Sequence, residues 1–333
     1  MGSGPQWGKP IADLALLSTW RRRARIERRA GRPFDFVLAH NAEAAWVALA
    51  TRAETRVPVV YVAHTILGYE LSAYLPERLG TGARGLGIRI DSLLARRADG
   101  IIALCEEARR KLEPQAREPV AMLPPGGDPG PGPSAASIAE SCRKYALIPG
   151  AYTLYSGNRD RYQELDLLRL AASRLPESAP PIVVASHAGE SGKPGAAAEA
   201  SGLCFVHVEN FEEMQQLIYG AHCLVMARRR RGGFPIKLLN YMAAARPIVA
   251  FEGVAVALEN ERSGLLLEAG AGGAGIAGAL ARLNDDPDLA SRLGAEARRI
   301  LETEYAWKEI AARTCDYLGS LRVARPDAGS PAL

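Results

Sequence analysis

The sequence predicts an α/β protein built from two parallel-sheet domains of Rossmann type. Short apolar, β-branched runs alternate with helical patterns from about residue 34, and the alternation restarts after a Pro/Gly-rich stretch at 124–133. In addition, 333 residues are too many for one simple core. Runs that are apolar on both faces belong to βαβ units, because crossover helices cover both sides of a parallel sheet.

In order, "FDFVLA" and "PVVYVAH" read as buried strands with the helix "EAAWVALATRA" between them. "ADGIIALCEEARRKL" reads as a strand that runs into a helix, and "VAM" as one more short strand before the linker. Past the linker, "AYTLYSG" is a strand ending in glycine, and "YQELDLLRLAASRL" is a helix. "PPIVVASH", "GLCFVHV" and "HCLVMA" are strands, "IKLLNYMAAA" is a helix leading into strand "PIVAF", and "SGLLLEAG" is the last strand. From about Ile276 to Leu321 the pattern is helical, broken near Asp286-Pro287. The resulting divisions are a basic helical segment at 1–33, a short first domain at 34–135 with about four strands, and a second domain at 136–303. A final helix at 304–321 and a Pro/Gly/Ala tail at 322–333, expected to be disordered, complete the chain. Sites in such sheets lie at the carboxyl ends of the strands, so the two domains are expected to face a cleft.

A hydrophobic content of 48% and a charged content of 23% are those of a soluble globular protein, and a net charge of +4 gives no reason to expect a nucleic-acid partner. The basic residues cluster: "WRRRARIERRAGR", Trp20 to Arg32, holds seven arginines against one glutamate. A solvated helix face is the bland reading, and peripheral contact with anionic lipid headgroups is the sharper one. Five scattered cysteines, odd in number and never in C-x-x-C pairs, argue against a disulfide framework or zinc site and for a reducing, cytosolic compartment. No apolar run approaches the roughly 18 residues of a spanning helix, and the N-terminus has no apolar core of a signal peptide.

Two glycine patterns invite over-reading. "GAGGAG", Gly270 to Gly275, fits G-x-G-x-x-G after a strand, but only helices follow it, so it lacks the βαβ context of a dinucleotide site. "GESGKPG", Gly189 to Gly195, has Pro194 where a phosphate-binding loop needs a hydroxyl.

The chemistry concentrates in "RRRRGGFPIKLLNYMAAARPIVAF". A strand ends, Arg228 to Arg231 and two glycines follow, and a helix begins near Ile236. Backbone amides at a helix start, close backbone approach at glycine and nearby positive charge make a site for an anion such as a diphosphate. A basic surface loop ahead of an ordinary core helix is the alternative. In the first half, His40, Asn41, Glu43 and His64 stand at or just beyond strand ends, with Glu70 nearby.

At this point the chain resembles the retaining glycosyltransferases of family 4, with the GT-B fold. "RRADGIIALCEEARRKL", "VAMLPPGGD", "LYSGNRDRYQELDLL", "GGFPIKLLNYMAAARPIVAF" with "ENERSGLLLEAG", and "YAWKEIAARTCDYL" carry the resemblance over about residues 34–320. It implies transfer of a hexose from a nucleoside-diphosphate sugar to an acceptor hydroxyl with retention, in glycan or glycolipid assembly. No cofactor and no metal are implied, and the acceptor is a glycan or lipid-linked sugar. It also implies that the last helix packs back onto the first domain, and it places His64 near the anomeric centre and the acceptor. His40, Asn41 and Glu43 are then candidates for acceptor contact. Gly157, Asn158, Gln163, Arg228, Gly233, Phe234, Pro235, Lys237 and Asn240 are the donor-site candidates.

The chain departs from the family in three places. The paired glutamates of an E-x7-E pattern align with Gly232 and Asn240, and Asn240 can still bond ribose hydroxyls. The Arg and Lys of the glycine loop align with the neutral Asn158 and Gln163, while Lys237 and Arg228 are placed to supply the charge instead. The usual first strand and Gly-rich loop have no counterpart, so either the chain continues upstream or the acceptor half is shortened. A catalytically silent homologue that binds nucleotide or a partner subunit is the second reading, and a sugar-nucleotide epimerase trails because no cleft carboxylates can be placed.

Overall fold

The computed structural model describes residues 9–74, 77–158, 163–187, 202–229 and 233–323. The chain forms two compact units, one reaching Pro125 and taking in the chain again from Ile310, the other running from Gly126 to Glu309. A short stretch around Phe234 groups with the first unit.

The first unit begins with α1 (Lys9–Arg29). Then come β1 (Val37–His40), α2 (Asn41–Thr55), β2 (Val59–Ala63), α3 (Leu67–Tyr74), α4 (Glu77–Arg97), β3 (Gly100–Ala103), α5 (Glu106–Leu112) and β4 (Ala121–Met122). Its four strands pair in parallel in the order β1-β2-β3-β4, with Val60 opposite Gly100 and His40 opposite Val62. β2 is buried at every position. One face of the sheet packs Tyr61, Ile101 and Ala103 against the helices that carry Ala45, Leu94 and Ala108. The other packs Val60, Val62 and Ile102 against Leu321 and Tyr317 of α12 (Trp307–Val323). The Tyr317 hydroxyl accepts from the Ile101 amide at 2.9 Å, and Arg313 donates to the Met122 carbonyl at 3.0 Å. The last helix therefore does return to the first unit.

α1 lies on α2: the Trp20 indole donates to the Thr51 hydroxyl at 3.0 Å and stacks on Phe34 with ring centroids 5.7 Å apart. Its arginines are largely engaged within the unit, Arg21 and Arg25 on Glu54, Arg28 on the Glu54 carbonyl and Arg23 on Glu27, which also takes Arg32 beyond the helix. α3 and α4 touch at two glycines. A Cβ on Gly87 would come within 2.5 Å of the Gly68 Cα, and one on Gly68 within 2.6 Å of Ile88 Cγ1. No helix among the described residues is long and apolar enough to cross a membrane.

The second unit carries α6 (Ala135–Lys144), β5 (Thr153–Ser156), α7 (Asp166–Ala172), β6 (Ile182–Ser186), β7 (Leu203–His207), α8 (Phe211–Gly220), β8 (Cys223–Val225) and α9 (Ile236–Ala243). β9 (Ile248–Phe251), β10 (Leu265–Leu267), α10 (Gly272–Asp285) and α11 (Pro287–Glu304) follow. Its six strands are parallel in the order β10-β9-β8-β5-β6-β7, so β5 and β8 lie side by side. Tyr155, Leu168, Ile182, Val225, Phe251 and Ile276 form its core. The break at Asp286-Pro287 is a helix boundary: Asp286 Oδ1 accepts from the Leu289 amide at 2.9 Å, and Pro287 opens α11. The GAGGAG run leads into α10 beyond β10, an edge strand. The GESGKPG loop lies outside the described residues, as do Gly232, Arg230 and Arg231.

Candidate functional site

In the second unit the candidates gather at the carboxyl ends of β5 and β8. β5 ends in Tyr155-Ser156, and Gly157 follows at φ +134°, a conformation glycine takes without strain. Lys237, in the first turn of α9, reaches back over this end. Its Nζ donates to the Ser156 carbonyl at 3.0 Å and the Tyr155 hydroxyl at 3.2 Å, and lies 3.5 Å from Gln163 Oε1. The amine also sits 4.4 Å from the Tyr155 ring centroid, a cation–π distance. A Cβ on Gly157 would fall 2.8 Å from that nitrogen, so any other residue here would crowd the amine.

The neutral loop residues complete the cluster. Gln163 is buried, and its Nε2 donates to Asn158 Oδ1 at 3.3 Å. The Tyr155 hydroxyl donates to the Asn158 carbonyl at 3.1 Å. Burial, and secondarily the charge of Arg228, hold the Lys237 amine down at about 8. Lys237 thus stands against Gln163, where the resemblance expects a cation. That cationic amine belongs to α9 and not to the loop after β5.

Two residues that the sequence reading missed, Tyr241 and Glu164, hold this arrangement. Tyr241, one turn beyond Lys237 on α9, accepts from the Ser156 amide at 2.8 Å and from the Ser156 hydroxyl at 3.1 Å. Glu164, at φ +53°, takes the Arg229 amide at 2.7 Å and its guanidinium at 2.7 and 3.0 Å. Oε1 takes both guanidinium donors and Oε2 the amide, which ties the loop after β5 to the loop after β8. The spacing Lys237-x3-Tyr241 is a helical i, i+4 pair, and it was the available signal. Nothing local in "QEL" marks Glu164. Asn240 shares α9, three residues past Lys237, and is half-buried. Gly233 is left-handed at φ +69°, and Pro235 precedes the first turn of α9.

In the first unit the candidates gather at the ends of β1 and β2. His40 closes β1 and His64 follows β2; His40 Nδ1 lies 2.8 Å from His64 Nε2, with the rings edge to face at 74°. Burial, then the neighbouring His40, push the His64 pKa down, and Glu70 opposes them. Glu70 accepts from the Thr65 hydroxyl at 2.9 Å. Asn41 starts α2 in the left-handed region at φ +69°, and Glu43 lies in that helix's first turn. In the same unit, Asp91 of α4 accepts from the Tyr61 hydroxyl and from the Gly68 amide, both at 3.3 Å. Burial raises the Asp91 carboxyl to about 6. The sequence reading missed Asp91, which sits in a glycine-rich stretch without a visible period.

Two parallel-sheet α/β units, with polar clusters at the carboxyl ends of their strands, define the class: this is the GT-B fold. Residues 2–126 match the family described as glycosyl transferase 4-like domain, and residues 151–286 match glycosyl transferases group 1. The chain belongs to the GT-B glycosyltransferases. A search of curated proteins finds no significant sequence match. Among solved structures it resembles Anabaena HepE in complex with UDP, at 17% identity and a TM-score of 0.73, over 92% of this chain and 82% of that one. It also resembles a sucrose-phosphate synthase from Thermosynechococcus elongatus, at 16% identity and a TM-score of 0.74, over 93% and 80% of the chains. A trehalose 6-phosphate synthase from Burkholderia multivorans aligns at 14% identity with a TM-score of 0.66, over 96% and 78%.

Proposed function

We propose that the protein transfers a hexose from a nucleoside-diphosphate sugar to an acceptor hydroxyl with retention, without a metal ion, in glycan or glycolipid assembly in the cytosol. The observation that carries this reading is the Lys237 amine held at the end of β5 against Gln163 and Ser156. In this reading Lys237 and Arg228 take the charge of the leaving diphosphate, helped by the α9 amides. Gly157 and Gly233 let the backbone approach it. Asn158 and Gln163 contribute neutral bonds, Asn240 meets the ribose, and Phe234 and Pro235 shape the approach to α9. His64 acts near the anomeric carbon. His40, Asn41 and Glu43 face a glycan or lipid-linked acceptor. The uridine nucleotide bound by HepE makes UDP the first donor base to try.

The silent-homologue reading has one observation in its favour: the cluster's neutral groups and its one lysine already bond one another. The deciding experiment is the melting-temperature shift with UDP, GDP and ADP, followed by turnover of the sugar conjugate of whichever binds. A ligand at a hundred times its dissociation constant adds about 2.7 kcal/mol of stability. A shift with one nucleotide and release of its diphosphate on turnover supports the transferase. A shift without turnover supports the silent homologue, and no shift in a cooperatively melting protein overturns the transferase and leaves a silent homologue that binds a partner subunit.

A further inference from the structure

A second site lies in the first unit at the opposite edge of its sheet, where Val57 and Pro58 lead into β2. There α2 and α4 border a groove of about 720 Å³, within the size range of small-molecule sites. Its floor is a helical stripe on α2, Trp46, Leu49, Ala50 and Ala53, facing Leu93 of α4. These positions follow the i, i+3, i+4, i+7 spacing of one helix face. α2 also buries Ala42, Ala45 and Ala48 in the core and holds Trp20 of α1 through Thr51. The stripe is therefore a second apolar face of α2, beside the one it buries in the core. Trp46 is 51% exposed.

One end of the groove is cationic. Arg56, Arg97 and Arg117 line it, all are exposed, and no acidic residue lines the groove. Among the described residues none of these three guanidinia makes a hydrogen bond or ion pair. Arg52, also in the wall, is spent on Asp99 and on the Arg97 carbonyl. Arg56 holds the left-handed position just past α2 at φ +56°, where glycine would sit more easily. Trp46 and Arg56 are ten residues apart, about 15 Å at the helical rise. A charged end and an apolar run of that length match a molecule with an anionic head and an alkyl tail. A flat bilayer would not fill the concavity with headgroups alone, and an acidic helix would need cations along the groove instead of at one end.

We propose that this groove binds an anionic amphiphile, its alkyl chain along Trp46–Ala53 and its head on Arg56, Arg97 and Arg117. The site is independent of the donor and acceptor readings, since His40 and His64 stand at the carboxyl edge of the same sheet.

The test is calorimetric titration of the full chain with dodecyl phosphate below its micellar concentration, against inorganic phosphate and dodecyl maltoside. Two variants accompany it, Arg97→Ala/Arg117→Ala at the head end and Ala50→Asp in the alkyl path. All three positions are exposed, and melting curves check that both variants fold. Saturable binding of dodecyl phosphate is expected, matched by neither control and weakened at least tenfold by each variant. Sedimentation with vesicles of phosphatidylcholine, with and without phosphatidylglycerol, separates the sources. Pelleting that requires the anionic lipid and is lost in the variants assigns the ligand to a membrane; binding without pelleting assigns it to a free amphiphile. No binding, equal binding by the variants, or equal binding of inorganic phosphate or dodecyl maltoside overturns the proposal.

Discussion

Lys237 is the residue on which the donor reading turns. A charge-assisted bond contributes about 1.5–3 kcal/mol, roughly ten- to a hundredfold in affinity. Lys237→Ala is therefore expected to weaken UDP binding by that factor, and Gln163→Ala by only a few-fold, both read by calorimetry. Equal losses would remove the claim that the cation acts from α9. The amine also sets a pH signature. With its pKa at about 8 in the fold, it loses its proton at a pH where an ordinary lysine stays charged. Diphosphate affinity should thus fall as pH rises through about 8, with proton uptake on binding above it. Stability should move the other way: between pH 8 and the ordinary lysine range the unfolded chain binds the extra proton, so folding becomes more favourable as pH rises. On the proposed reading His64 acts on the acceptor side. Burial, then the neighbouring His40, lower its pKa and so favour the neutral imidazole, and His64→Ala should cut turnover at least about tenfold with little change in UDP affinity.

At the scale of elements, α4 shows how tertiary contact overrides local preference. It contains Gly80, Gly82, Gly85 and Gly87, and each interior glycine costs about 1 kcal/mol against alanine. That composition hid the helix from sequence reading. The close approach of Gly87 to Gly68 is a physical reason for one of them. Gly87→Ala should gain helix propensity yet lose about 1–3 kcal/mol through overpacking against α3, seen as a lower melting temperature. A net rise would show that α3 can shift without cost. α11 gives the opposite case, legible in sequence. Asp286→Ala removes its cap and should cost about 1 kcal/mol, a fall of roughly 2–4 °C.

For the whole molecule, the chain leaves the first unit at Pro125 and comes back to it at Ile310. Tyr317→Phe leaves the buried Ile101 amide without its acceptor, a loss of about 1–3 kcal/mol. Hydrogen exchange should show β3 of the first unit opening more readily while β5, β6 and β8 keep their protection. Loss of protection in both sheets alike would mean that the two units unfold together.

The strand–helix alternation, the break at Asp286 and the glycine-led start of α9 were all legible, because each is a local pattern of polarity or backbone restriction. The sequence alone thus determined the α/β class and the two-unit organisation, and the family resemblance added the return of the last helix as an expectation. Only the tertiary structure decided that Lys237 stands against Gln163, 74 residues away in the chain. It also decided that His40 meets His64, that Glu164 clamps Arg229, and that three arginines gather at one end of an apolar groove. These are contacts between strand ends and helices far apart in sequence. Parallel-sheet topology brings them together, and no local periodicity records which residues will meet.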